Sequence, residues 1–171
     1  KKPAAVGGRN EEVSPLLERM FLFLEDGEFA RADEFAELVL NQDAKNAEAY
    51  LGKLMAELHV RTKEDLQEQK EPFENNGNYQ KVLRFADNPL KSELENILLE
   101  LKYKCATEKM FIAKSSSDYM EVSNEFKKLS SYKDSQKLSE VCLEKAENCQ
   151  KDIVFSNAED LFNQDTVDSL V

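Results

Sequence analysis

The stretch that decides the fold is residues 14–58, SPLLERMFLFLEDGEFARADEFAELVLNQDAKNAEAYLGKLMAEL. Its apolar residues recur at helical spacing. Leu16, Met20 and Phe23 form a stripe, Gly27 interrupts it, and Phe29, Ala32, Phe35, Ala36, Val39 and Leu40 form a second. Ser14-Pro15 reads as a helix start, with a hydroxyl cap followed by a proline in the first turn. Glycine after Asp26 ends that helix, and Asn46 opens a third with Tyr50, Leu51, Leu54, Met55 and Leu58 inward. Three helices joined by short turns predict antiparallel hairpins.

Working outward, residues 1–13 (KKPAAVGGRNEEV) carry Pro3 and Gly7-Gly8 without periodicity and read as a flexible linker. Residues 61–76 form a charged insertion whose large apolar residues are Leu66 and Phe73. Thr62 and Asp65 have capping-box spacing, so a short exposed helix is expected over 63–71, with a turn at Asn75-Asn76-Gly77. A helix at 78–88 follows, then one long or bent helix over 89–114. Ser115 to Asp118 caps the next helix, which carries Tyr119, Val122, Phe126 and Leu129. After a turn at 130–134, a helix runs over 135–150. A separate amphipathic helix is expected at 153–164, folded back so that Phe155, Ala158 and Phe162 meet Leu138, Val141 and Cys142. Val154, Leu161 and Leu170 would then stay open. No stretch alternates as a strand would, so the fold class is all-α.

The turns repeat. Gly27-Glu28-Phe29 with Ala32 and Phe35 matches Gly77-Asn78-Tyr79 with Val82 and Phe85, and Asp118-Tyr119 with Val122 and Phe126 is a looser copy. These residues resemble the tetratricopeptide repeat family, with Ala44 where that family has proline and the insertion interrupting the second unit. Residues 101–149 resemble a related pattern in bacterial proteins of unknown function. It is carried by Tyr103, Ala106, Met110, Tyr119, Phe126 and the turn Tyr132-Lys133-Asp134-Ser135. The spacing of Tyr103-Ala106-Met110 returns as Phe155-Ala158-Phe162. The resemblance implies a solenoid of helical hairpins, an α-α superhelix. Residues 14–88 would be two hairpins, 89–150 a third divergent repeat, and 151–171 the start of a further, incomplete one. Relatives of that second pattern are expected to carry a zinc ribbon or a membrane segment upstream. The chain, opening Lys1-Lys2-Pro3, reads as part of a longer protein.

Composition narrows the function. The 171 residues hold 23 Lys+Arg against 34 Asp+Glu, a net charge of -11, which disfavours nucleic acid as a partner. Residues 9–58 carry 5 basic and 12 acidic side chains, and residues 150–171 carry 1 and 5. No apolar run approaches the roughly 20 residues of a membrane span. Three cysteines, Cys105, Cys142 and Cys149, do not suggest a disulfide framework and read as reduced, mostly buried thiols of a cytoplasmic protein. His59 is the one histidine, so neither a zinc site nor a histidine-based triad is supported, and no glycine-rich phosphate loop is present. His59 reads as a helix-terminal residue. Neighbouring acidic pairs such as Glu25-Asp26 and Asp33-Glu34 read as solvated faces, and Glu71, Glu74 and Asn75 to Asn78 lack calcium-loop spacing.

What remains is surface. Leu17, Phe21 and Leu24 make a second apolar stripe beside Leu16, Met20 and Phe23, the six spanning about 160° of the helix. With Leu51, Met55, Leu58 and His59, this stripe is the expected lining of a concave groove, the other reading being that the linker or a later helix covers this face and it is simply core. The expectation is a non-enzymatic, cofactor-free scaffold or adaptor that binds a partner protein or peptide, basic or amphipathic to suit the acidic rim. The alternative is a structural spacer or self-association module of a larger bacterial protein, associating through the C-terminal helix. Tetratricopeptide domains that grip acidic chaperone tails place basic and amide residues where this chain has Leu17, Phe21, Leu51 and Met55, so such tails are not expected to bind.

Overall fold

A computed structural model describes residues 8–168 of the chain, and side-chain burial over 13–159. The described residues are helical with no strand. Seven α-helices follow in order: α1 (Gly8–Glu25), α2 (Phe29–Gln42), α3 (Ala47–Glu57), α4 (Gly77–Phe85), α5 (Asn88–Ile112), α6 (Ser116–Lys128) and α7 (Ser135–Asp168), with a short 3-10 helix at Glu64–Glu68. The chain divides into two compact units, Lys1–Leu101 and Lys102–Val171.

In the first unit α1 starts at Gly8, inside the expected linker and before the expected cap at Ser14, while residues 1–7 lie outside the described residues. Pro15 sits within the helix and withholds one backbone hydrogen bond. The extra turns hold because Val13 is buried and heads the stripe that continues through Met20 and Leu24. Gly27, at φ 78°, closes α1: its N–H donates to Leu24 O (2.9 Å), and Glu28 N–H donates to Phe23 O (2.7 Å). This left-handed turn is where glycine is needed. Asn46 caps α3 as expected, its side chain accepting from Ala49 N–H at 2.9 Å. α2 packs on α1 and α3, α3 on α4, and α1 also meets α3. Contacts such as Phe23–Phe35, Phe29–His59 and Tyr50–Phe85, with ring centroids 4.9–5.8 Å apart, show successive helices running antiparallel.

The insertion departs from the expected exposed helix. It holds only a 3-10 turn, because its two large apolar residues act as anchors: Leu66 is wholly buried, and Phe73 is buried edge-on to Tyr79 at 5.2 Å. The Thr62–Asp65 reciprocal hydrogen bonds form as the spacing predicts, at 3.0 and 3.3 Å. Asn76 caps α4 by accepting from Asn78 and Tyr79 N–H. Burial pushes the Tyr79 phenol up to about 12, with Glu95 and Glu74 adding to the effect.

In the second unit α6 and α7 form the main packing pair. Ser115 and Asp118 make a complete capping box for α6. The turn at Tyr132 to Ser135 is held from several sides. Lys133 is left-handed (φ 48°), and Ser135 donates from N–H (3.1 Å) and hydroxyl (2.6 Å) to Tyr132 O. The Tyr103 hydroxyl donates to the Asp134 carboxylate at 2.6 Å. α7 does not stop at Gln150. It is one helix to Asp168, since nothing in Gln150-Lys151-Asp152 breaks it, so the expected fold-back of residues 153–164 does not occur. Phe155 and Ala158 are exposed, not packed on Leu138, Val141 and Cys142, and Val154 is open as expected. The side chains of Leu161, Phe162 and Leu170 lie outside the described residues.

Candidate binding surface

Three of the seven expected groove residues belong to the core. Leu24, Leu51 and Met55 are buried, Leu17, Phe21 and Leu58 are half-buried, and His59 is exposed. The cause is the closeness of the α1–α3 packing. Gly52 has no Cβ, and one placed there would overlap the side chain of the wholly buried Met20. α3 is thereby enclosed by α1, α2 and α4, and its apolar stripe has no open side. A glycine in mid-helix was the available signal.

On α1, Leu17 and Phe21 remain partly accessible and Leu22 is 57% exposed. This strip lies in the most acidic segment of the chain.

His59 is the left-handed residue closing α3 (φ 55°), with Val60 N–H donating to Met55 O at 3.0 Å and its own N–H to Ala56 O at 3.2 Å. Its ring meets Phe29 edge-on at 4.9 Å. Beside it is an open cleft of about 420 Å³ lined by Phe29, Asp33, Lys53, Glu57, His59 and Asn78 among others. The polar groups there bind one another. The Lys53 ammonium contacts Asp33 (2.6 Å) and Glu37 (2.7 Å), and Asn78 donates to Glu57 at 3.1 Å. Burial works against the charge on Lys53, but the hydrogen bonds to the two carboxylates outweigh it and raise its pKa. This arrangement braces α2, α3 and α4 together. A second open cleft, of about 680 Å³, runs along the insertion between Leu58 and Asn76 and was not anticipated, although Pro72-Phe73 within a charged run was a hint.

Further exposed large apolar side chains are Leu38 in the first unit and Phe111, Ile112, Met120, Ile153, Val154 and Phe155 in the second. None of the three cysteines forms a disulfide. Cys142 is buried, whereas Cys105 and Cys149 are half-buried, so the expectation of mostly buried thiols holds for one of the three. Burial pushes both the Cys105 and Cys142 thiols up.

Among the described residues, no group of three or more His, Cys, Asp and Glu side chains is placed to hold a metal ion, and no helix is long and apolar enough to cross a membrane. Compared with known proteins, the chain matches no family model, no curated protein and no solved structure.

Proposed function

We propose that the chain is a non-enzymatic adaptor built from tetratricopeptide-like helical hairpins, holding a basic, amphipathic peptide or helix of a partner protein against α1. The observation that carries this reading is the strip of Leu17, Phe21 and Leu22, left accessible while Met20, Phe23 and Leu24 fill the core. The sequential hairpins and the additional α1–α3 contact support the repeat reading. Three cysteines without a disulfide among them support a reducing compartment such as the cytoplasm. Apolar side chains set among carboxylates favour a ligand with leucines on one face and lysines on the other.

The test is fluorescence anisotropy with a labelled Lys/Leu amphipathic 18-residue peptide as probe. The wild-type chain should bind it with an affinity that falls as salt rises. Phe21→Glu should abolish binding while leaving the melting temperature within a few degrees of wild type. A sharp drop in melting temperature instead would make Phe21 a core residue and remove the groove.

A further inference from the structure

The insertion at residues 61–76 is built as an arch. Leu66 is wholly buried at one foot, and Phe73 is buried against Tyr79 at the other. Between the feet, the Gln69 side chain donates to Leu58 O at 3.4 Å, which ties the span to the end of α3. Asn76 fixes the exit by capping α4. These attachments shape the cleft of about 680 Å³ along the arch. Its lining combines apolar Leu58, Pro72 and Phe73 with the carboxylates of Glu68 and Glu71. Leu58, which closes α3, is half-buried, and Glu71 is exposed. Residues 64–74 hold five acidic side chains against one lysine, Lys70.

The cleft belongs to the same end of the first unit as Phe21. Met20 of α1 meets Gly52 of α3, and the Arg61 guanidinium, past the end of α3, lies against Gly27, past the end of α1. α1 and α3 therefore run side by side in one direction, with their C-terminal ends together. Phe21 follows Met20, so Leu58 stands about five residues beyond it along that direction, roughly 8 Å. An 18-residue helix is about 27 Å long and can cover both at once. Charge selects the occupant. Exposed Glu18 and Glu25 lie three residues before and four after Phe21, one turn to either side. Among the described residues, no ion pair takes up Glu71. Carboxylates spaced along an apolar path suit a cationic amphipathic helix.

We infer that the insertion cleft is the second half of the α1 binding surface, joined to it at Leu58, and that Glu71 accepts a lysine of the bound basic helix. The inference rests on the α1 reading and adds a fixed polar contact that sets the position of the ligand along α1.

The experiment uses the full chain and the labelled Lys/Leu 18-residue peptide in fluorescence anisotropy, with thermal melts as the folding control. Glu71→Lys should weaken binding about tenfold and reduce its salt dependence, with the melting temperature unchanged because the side chain is exposed. Glu64→Lys makes the same charge change in the same insertion, outside the cleft, and should leave the affinity within about twofold. Carbodiimide coupling of the complex, followed by peptide mapping, should join a probe lysine to Glu71. Equal weakening by Glu64→Lys and Glu71→Lys would overturn the cleft, since the insertion would then attract the peptide through its overall charge alone. Binding lost in Phe21→Glu but unchanged in Glu71→Lys would also overturn the cleft, and would leave the α1 strip standing. Binding weakened by Glu71→Lys but unchanged in Phe21→Glu would overturn the joint surface. A wild-type chain that does not bind the peptide would remove both readings.

Discussion

Ser123 of α6 and Ser139 of α7 clasp each other inside the second unit. Each hydroxyl reaches the other residue's carbonyl, at 3.0 and 3.1 Å, and the two oxygens are 2.8 Å apart. Both side chains are buried, so the pair satisfies itself without water. Small hydroxyl residues at facing positions also let the two helices approach closely.

Removing one hydroxyl leaves the other its bond to the facing backbone carbonyl, but takes away one hydroxyl–carbonyl hydrogen bond and the contact between the two oxygens. Ser123→Ala should destabilise the second unit by about 1–2 kcal/mol. Ser123→Ala with Ser139→Ala should cost less than the sum of the singles, since the contact between the two hydroxyls, lost in either single variant, is lost only once. Ser123→Val should be worse than alanine because it adds volume at a closed seam. Amide exchange of α7 residues reads these effects on the second unit alone.

Gly52 and Met20 make a second tight seam, between α3 and α1. In Gly52→Ala the helix gains about 1 kcal/mol of intrinsic propensity. The new methyl, however, enters space held by the buried Met20 side chain, at a cost of about 1–3 kcal/mol. Net destabilisation is expected in urea melts. Combined with Met20→Ala, the Gly52→Ala substitution should become neutral or stabilising, because its methyl partly fills the cavity. Strict additivity of the two changes would contradict this packing.

Local chemistry was legible in the sequence wherever a backbone rule was at stake. Gly27, Asn46, Ser115 with Asp118, and Thr62 with Asp65 each form the turn or cap their spacing predicts. Tertiary burial was not legible in the same way. Leu51 and Met55 look alike whether a helix faces a groove or a neighbour, and the deciding residue, Gly52, carries no side chain to read. The end of α7 was misjudged for a related reason. The match of Phe155-Ala158-Phe162 to Tyr103-Ala106-Met110 suggested a new helix, but spacing similarity supplies no helix breaker between Gln150 and Ile153.

The Tyr132 to Ser135 turn is tied to α5 by Tyr103, whose ring lies 6.1 Å from those of Phe126 and Tyr132, with the Lys133 ammonium 4.7 Å from its centroid. Tyr103→Phe keeps the rings and removes only the hydrogen bond to Asp134, so a loss of about 1 kcal/mol is expected. Tyr103→Ala removes the ring contacts too and should cost about 3 kcal/mol. Equal effects of the two changes, measured by α7 amide exchange, would show that the aromatic packing contributes nothing.

The capping box of α6 should respond to acid. The Asp118 carboxylate accepts from Lys114 N–H (3.1 Å) and Ser115 N–H (2.9 Å), while the Ser115 hydroxyl accepts from Asp118 N–H (3.1 Å). The Lys114 backbone bond is the largest cause of its lowered pKa, followed by the bonds with Ser115. Because the folded pKa lies below the unfolded one, the unfolded chain binds the proton first as pH falls. The stabilisation is therefore complete above the unfolded carboxylate range, near pH 4, and disappears as pH drops through the folded value. Proton resonances of the Lys114 and Ser115 amides should shift together along that titration. In Asp118→Asn they should stay flat, and the start of α6 should exchange faster at neutral pH. A midpoint for Asp118 at or above the ordinary carboxylate value would contradict the capping geometry.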